Sequence, residues 1–259
     1  NEGLAYAKDR KQCGKAIIEF PAVYDMLAIM KGKLDAGRAL LYQTARYVDI
    51  YKALDDISRE RKLTPEERLE QKKYAKLADS FTPLAKGMNS EYANQNAYDC
   101  IQIHGGSGFM MEYACPRIYR DARLTSIYEG TTQLQTVAAS RYVTNGSYIA
   151  TIREFEAIPC SPEMEPLMSR LKKMADKFEA STNAVKEAQD QELLDFCARR
   201  LVEMAAHIIM GHLMVQDASK SDLFSESAQV YVRYAEAEVE KHINFIRKFD
   251  KDDLAYYRK

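Results

Sequence analysis

The residues best suited to chemistry lie between Gln102 and Gln135. Two glycine-rich turns, Gln102-Ile103-His104-Gly105-Gly106-Ser107-Gly108 and Tyr128-Glu129-Gly130-Thr131, flank a stretch carrying Arg117, Arg120, Asp121 and Arg123. Turns of small residues let a backbone approach a ligand closely, and their amides can cradle an anion such as a phosphate. The spacing is neither a G-x-G-x-x-G fingerprint nor a G-x-x-x-x-G-K-S/T loop, so either turn by itself reads first as a helix stop. Glu129 stands between an aromatic residue and a glycine, just before a helix that starts at Thr131. Its carboxylate has two readings: a solvated loop acid favoured by the helix dipole, or a general base held beside an apolar wall by rigid flanking helices. A third segment, Arg10-Lys11-Gln12-Cys13-Gly14-Lys15, puts three cations and an amide donor on one turn, which suits a phosphate and suits plain solvent as well.

Long helices must position these turns. Only 11 Gly and 7 Pro interrupt 259 residues, and apolar residues recur three and four apart, so the chain reads as all-α. From Val23 through Met26, Leu27, Met30, Leu34, Leu41, Ala45 and Val48, one stripe predicts a helix of about thirty residues, about 45 Å long. Asp55 to Lys62 is charged enough to read as a solvated loop. Thr64-Pro65-Glu66-Glu67 then opens a helix with a capping hydroxyl, a proline where no amide hydrogen is needed, and a carboxylate three residues on. This helix is expected to reach His104, to kink or split near Phe81 and Thr82 because of Pro83, and to stop at Gly105 and Gly106. A short helix after Pro116 and another from Thr131 to Asn145-Gly146 complete a first module, a four-helix bundle over residues 1–150. Beyond Pro159 and Pro162, helical patterns over 162–188, 189–218 and 221–249 predict an additional helical bundle over residues 151–259.

Composition removes several function classes. With 37 Lys+Arg against 38 Asp+Glu, and about +3 and −4 in the halves either side of residue 150, the chain lacks the positive surplus that nucleic acid or an anionic membrane requires. No stretch approaches the about 18 apolar residues of a membrane span, and Asn1 to Gln12 is polar rather than a signal-peptide core. Cys13, Cys100, Cys115, Cys160 and Cys197 are scattered without C-x-x-C spacing, which fits a reducing, cytoplasmic compartment. His207 and His212 are five apart and point about 140° away from each other on a helix, so no metal site is expected.

Ala5-Tyr6-Ala7-Lys8-Asp9-Arg10-Lys11-Gln12-Cys13-Gly14, the Gln102 to Phe109 turn, Glu112-Tyr113, and above all Tyr119-Arg120-Asp121-Ala122-Arg123 through Ile127-Tyr128-Glu129-Gly130-Thr131 to Gln133-Leu134-Gln135 together resemble one family. In order and spacing they are similar to the C-terminal helical domain of acyl-CoA dehydrogenases. The charged segment after Asp55 and the helices after Pro159 resemble a subgroup with an extended helical C-terminus.

The resemblance implies an FAD enzyme that oxidises an acyl-CoA thioester to the trans-2-enoyl-CoA and passes electrons to an electron-transferring flavoprotein. It makes Glu129 the base that takes the α-proton, with the Glu129 backbone amide as one donor to the developing enolate oxygen, and it places Tyr128 and Gly130 at the substrate. It puts Arg10, Gln12, Gln102 and Gly106 on the ADP part of an FAD held mainly by a neighbouring subunit, and Thr131 and Gln133 on the FAD of their own subunit. A homodimer or homotetramer is then part of the site. The family usually has Phe where this chain has Cys13, which weakens the expected packing on the adenosine. The family's N-terminal helical and middle β domains are absent from this sequence, so the chain reads as a C-terminal fragment, inactive alone because a base without its electron acceptor returns the proton. An acyl-CoA oxidase shares the base and is the alternative enzyme. A non-catalytic helical scaffold or a nucleic-acid-binding relative of the same fold is the alternative outside enzymes, and the second of these lacks the basic face it needs.

Overall fold

Helix α1 (Glu2–Asp9) leads through a two-residue antiparallel ladder, β1 (Lys11–Gln12) and β2 (Lys15–Ala16), into the long helix α2 (Pro21–Glu60) in a computed structural model that describes residues 1–258. The ladder turns on Cys13 and Gly14, both with positive φ (48° and 83°), the backbone that a two-residue hairpin loop requires. Helix α2 is 40 residues long, with a proline at its start. The expected loop over Asp55 to Lys62 is therefore mostly helix. Arg59 reaches back to Asp55 at 2.7 Å and Asp56 at 3.2 Å, and Leu54 is buried beneath them. Charge pairs spaced three and four apart favour helix in a segment whose polarity reads as loop.

Helix α3 (Pro65–His104) begins as its sequence predicts. Thr64 Oγ1 accepts from the Glu67 amide and Glu67 returns the bond to the Thr64 amide, at 3.2 and 2.9 Å. Arg61 and that amide hold the Glu67 carboxyl down at about 2. Pro83 does not split the helix, which is continuous to His104. On this turn the Thr82 hydroxyl donates to the Ala78 carbonyl (2.7 Å) and the Tyr148 hydroxyl to the Ser80 carbonyl (2.7 Å). Pro83 leaves the Asp79 carbonyl, four residues back, without its helical donor, and the two hydroxyls bond the carbonyls on either side of it.

The remaining helices are α4 (Cys115–Thr125), α5 (Thr132–Thr144), α6 (Ser147–Glu156), α7 (Glu165–Glu187), α8 (Gln191–Ala218), α9 (Ser225–Lys248) and the short α10 (Leu254–Tyr257). The molecule is all-α. The antiparallel pair α2 and α3 carries α4 and α5, and α7, α8 and α9 pack beside them. One hydrophobic core runs through both halves, from Leu40, Phe81 and Leu84 to Met174, Phe178, Met204 and Tyr231. Gly32 of α2 faces Tyr231 of α9, where a Cβ would stand in ordinary contact at 3.5 Å. The Tyr92 hydroxyl (α3) lies 2.9 Å from the Tyr231 hydroxyl (α9) and 3.2 Å from His207 Nδ1 (α8), which ties three helices at one buried point.

Burial pulls His207 and His212 down to about 4. An unfolded chain protonates these rings below pH 6.5 while the fold refuses the proton until about 4, so stability falls as pH drops through that window. Each ring contributes up to about 3 kcal/mol to the loss. The urea midpoint is expected to fall steeply between pH 6.5 and 4. Neither ring nitrogen of His212 has a partner among the described residues, so His212→Leu is expected to be neutral or mildly stabilising at pH 7 and to flatten the acid limb. An acid limb unchanged by that substitution would contradict the assignment.

Candidate functional site

Between α4 and α5 the chain turns through Ser126 to Thr131. Thr131 caps α5, its hydroxyl accepting from the Leu134 amide at 3.4 Å, and the Thr132 amide donates to the Ser126 carbonyl at 3.1 Å to close the loop. Within it Glu129 and Gly130 both have positive φ, 48° and 91°. Glycine adopts that backbone freely, whereas for glutamate it costs about 1 kcal/mol. Such strain persists only where the surroundings enforce it.

Helix α3 supplies the enforcement. Lys86 Nζ donates to the carbonyls of Thr125 (3.0 Å), Tyr128 (2.9 Å) and Gly130 (2.7 Å). One helical turn further on, Glu91 accepts a 2.6 Å bond from the Thr132 hydroxyl. Gln135 Nε2 donates to the Glu129 carbonyl at 3.3 Å, and Gln135 packs over Gly87 of α3. The Glu129 side chain is exposed. On the loop and the helices either side of it, Leu124, Ile127, Tyr128, Leu134 and Val137 expose between 47% and 67% of their surface. The segment that carries the carboxylate thus presents apolar side chains to whatever covers it.

A second group gathers at the C-terminal end of α3. The Tyr6 ring stacks on His104 with centroids 4.2 Å apart, and its hydroxyl lies 3.3 Å from Ser107 Oγ. Ala7, Ile17 and Ile103 pack beneath. This fixes α1 and the hairpin against the turn after α3, so Arg10, Gln12, Gln102 and Gly106 lie exposed at one end of the molecule. Open space stands where side chains at Gly105 and Gly106 would be, with nothing within 4 Å, so the backbone is accessible to a ligand. Gly108 is different: a Cβ there would sit 2.5 Å from the Ile101 carbonyl oxygen, and the turn closes only without one. The two groups are not brought together. Gln102 lies about 24 Å along the α3 axis from Lys86, at a rise of about 1.5 Å per residue.

Residues 1–143 match the family described as acyl-CoA dehydrogenase, C-terminal domain, and residues 144–254 match the one described as acyl-CoA dehydrogenase C terminal. The chain belongs to the acyl-CoA dehydrogenase family. Over 233 residues it is 31% identical to butyryl-CoA dehydrogenase of Syntrophomonas wolfei, covering 82% of this chain and 36% of that protein. Over 140 residues it is 36% identical to the caffeyl-CoA reductase-Etf complex subunit CarC of Acetobacterium woodii, covering 54% of this chain and 31% of that protein. The structure of an acyl-CoA dehydrogenase complexed with FAD from Bacillus anthracis has the same fold, with a TM-score of 0.72 at 20% identity over 98% of this chain and 47% of that one. The chain thus spans about a third of the length of the curated relatives it matches.

The acyl-CoA dehydrogenase turns that carry the resemblance are where the structure places its exposed, constrained loops. Sequence reading passed over Lys86, Glu91 and Thr132. The one available signal for Lys86 was a lysine set between the buried positions Ala85 and Gly87. No helix among the described residues is long and apolar enough to cross a membrane.

Proposed function

We propose that this chain carries the general base of an FAD-dependent acyl-CoA dehydrogenase acting on an acyl-CoA thioester to give the trans-2-enoyl-CoA. The observation that carries the reading is the left-handed Glu129-Gly130 turn, held from behind by α3 on a segment that presents exposed apolar side chains, in a chain of this family. An α-proton of a thioester is weakly acidic, so its removal requires a base fixed in position and hydrogen-bond donors for the oxygen that gains charge. Glu129 accepts the α-proton, its backbone amide donates to the enolate oxygen, and Tyr128 and Gly130 shape the pocket beside the acyl chain. Once the thioester covers the apolar side chains, water is excluded from the carboxylate.

The residues present fit FAD, which when bound supplies the acceptor for the β-hydrogen leaving as hydride. Thr131, the cap of the helix that follows Glu129, and Gln133 on its first turn would hold the FAD of their own subunit. Arg10, Gln12, Gln102 and the bare backbone at Gly106 offer a cation, amides and an open main chain to the ADP part of a second FAD, in a neighbouring subunit. A homo-oligomer is then part of the proposed site. Residues 1–150 then form the site-bearing module and residues 151–259 brace it. That the Acetobacterium woodii relative is a subunit of a caffeyl-CoA reductase-Etf complex supports an electron-transferring flavoprotein as the electron-transfer partner.

The test is anaerobic mixing of a protein of full family length containing this chain, loaded with FAD, with acyl-CoA esters of graded length. Loss of flavin absorbance with formation of trans-2-enoyl-CoA supports the reading. Unchanged flavin across the whole series overturns it, and rapid reoxidation by oxygen rather than by the flavoprotein acceptor would make the protein an oxidase.

A further inference from the structure

An ammonium group has three N–H donors, and at Lys86 all three are spent on main-chain carbonyls of one short loop, those of Thr125, Tyr128 and Gly130. Bonds from a charged donor are the strong kind, and no carboxylate among the described residues pairs with this lysine, so its charge is balanced by peptide dipoles. Its stem also passes the Tyr128 ring, with Nζ 5.3 Å from the centroid.

The peptide geometry gives this grip a direction. The described chain has no cis peptide bonds, and in a trans peptide the C=O and N–H point to opposite sides. Drawing the Tyr128 carbonyl toward α3 turns the Glu129 N–H away from it, and drawing in the Gly130 carbonyl does the same for Thr131 N–H. Neither of these two amides donates to any backbone carbonyl among the described residues. Together with the Gly130 amide, which also has no partner among the described residues, they are free to donate outside the chain.

We propose that Lys86 is a positioning residue for Glu129: by holding the carbonyls of residues 125, 128 and 130 inward, it aims the Glu129 amide outward at the enolate oxygen of the substrate and locks the left-handed backbone from which the carboxyl reaches the α-carbon. This rests on the reading of Glu129 as the base. Lys86 touches neither substrate nor cofactor. It acts through the two peptide planes on either side of the Glu129-Gly130 pair, with Glu91 fixing the start of α5 through Thr132.

Two measurements test it, one on this chain alone and one on the FAD-loaded protein of full family length. In the chain, the Lys86 ammonium protons are expected to exchange slowly enough to give a resolved ¹⁵Nζ resonance at neutral pH, and Lys86→Met is expected to broaden or shift the amide signals of residues 126 to 131 while those of α7 to α9 stay in place. A Lys86 resonance averaged with the solvent-exposed lysines in the unaltered chain overturns the proposal without any variant having to fold. In the loaded protein, with butyryl-CoA as the probe, Lys86→Met is expected to lower both kcat and the rate of α-hydrogen exchange with D₂O by roughly 10- to 100-fold, with KM changed less than about threefold. Lys86→Arg, which keeps charge and donors, is expected to recover most of the loss. Lys86→Met with unaltered α-exchange and kcat overturns the positioning role. Glu129→Gln run in parallel separates the two ideas, since α-exchange surviving that substitution removes the base itself.

Discussion

Glu129→Gln in the FAD-loaded protein of full family length is expected to lower kcat by about 10²- to 10⁴-fold, the usual worth of a positioned general base, with little change in KM. The amide is nearly isosteric with the carboxyl but cannot accept a proton from the α-carbon. The fold gives no reason for collateral damage. Glu129 is exposed, its carboxylate forms no ion pair among the described residues, and its carbonyl bond to Gln135 is main-chain on the Glu129 side. FAD content and melting temperature are therefore expected to stay within error of the unaltered protein. Acyl-CoA should still bind and perturb the flavin spectrum without bleaching it. Full turnover by the glutamine variant would remove Glu129 from the mechanism. A companion substitution separates strain from chemistry: Glu129→Gly, at φ 48°, relieves a backbone cost of about 1 kcal/mol and is expected to raise stability slightly while abolishing activity. A residue that improves the fold when removed and ends turnover when removed is held there for function.

The parts of this architecture that sequence reading reached are those where local chemistry is decisive. Thr64-Pro65-Glu66-Glu67 carries its own cap, and α3 starts there. Gly146, at φ 77°, sits between α5 and α6 where a left-handed residue was needed. What escaped was set by partners far along the chain or by side chains acting on the backbone. The Asp55 to Glu60 segment continues α2, where Arg59 pairs with Asp55 and Asp56 over the buried Leu54, and the Tyr148 hydroxyl, 68 residues along the chain, bonds the Ser80 carbonyl beside Pro83. Lys86 escaped for the same reason: within the helix it is one more cation, and its role exists only once residues 125 to 130 fold back onto it. The loop was legible as a glycine turn bearing a carboxylate. The direction in which its amides point was not.

Ending the chain at Asn145 is expected to abolish cooperative folding of what remains, even though the proposed site lies wholly before that point. The extension is not an appendage, because the buried faces of α2 and α3 are completed by it. Without α9, Gly32 loses Tyr231 from its surface, and Asp35, buried and bonded to Ser227 Oγ at 2.6 Å as well as to Lys31, loses a partner. Tyr92 loses both the Tyr231 hydroxyl and His207, leaving a tyrosine hydroxyl at an exposed apolar surface that includes Leu40, Phe81 and Leu84. Apolar area on that scale drives association of the truncated chain rather than its solution as a monomer. The intact chain is expected to unfold in one transition by circular dichroism and calorimetry, and residues 1–145 to show no sharp transition and to aggregate. A truncated chain that melts cooperatively within about 10 °C of the intact one would make the two halves independent, a shift larger than the loss of one or two buried contacts produces. The consequence reaches the proposed site by a short path: Glu91, which holds Thr132 at the head of α5, lies 3.9 Å from Arg199 on α8, and Arg199 bonds Glu203 at 2.8 Å. Arg199→Ala, which leaves the core intact, is therefore expected to disturb the Thr132 amide before it lowers the melting temperature, and that order of events distinguishes a brace on the base loop from a general loss of packing.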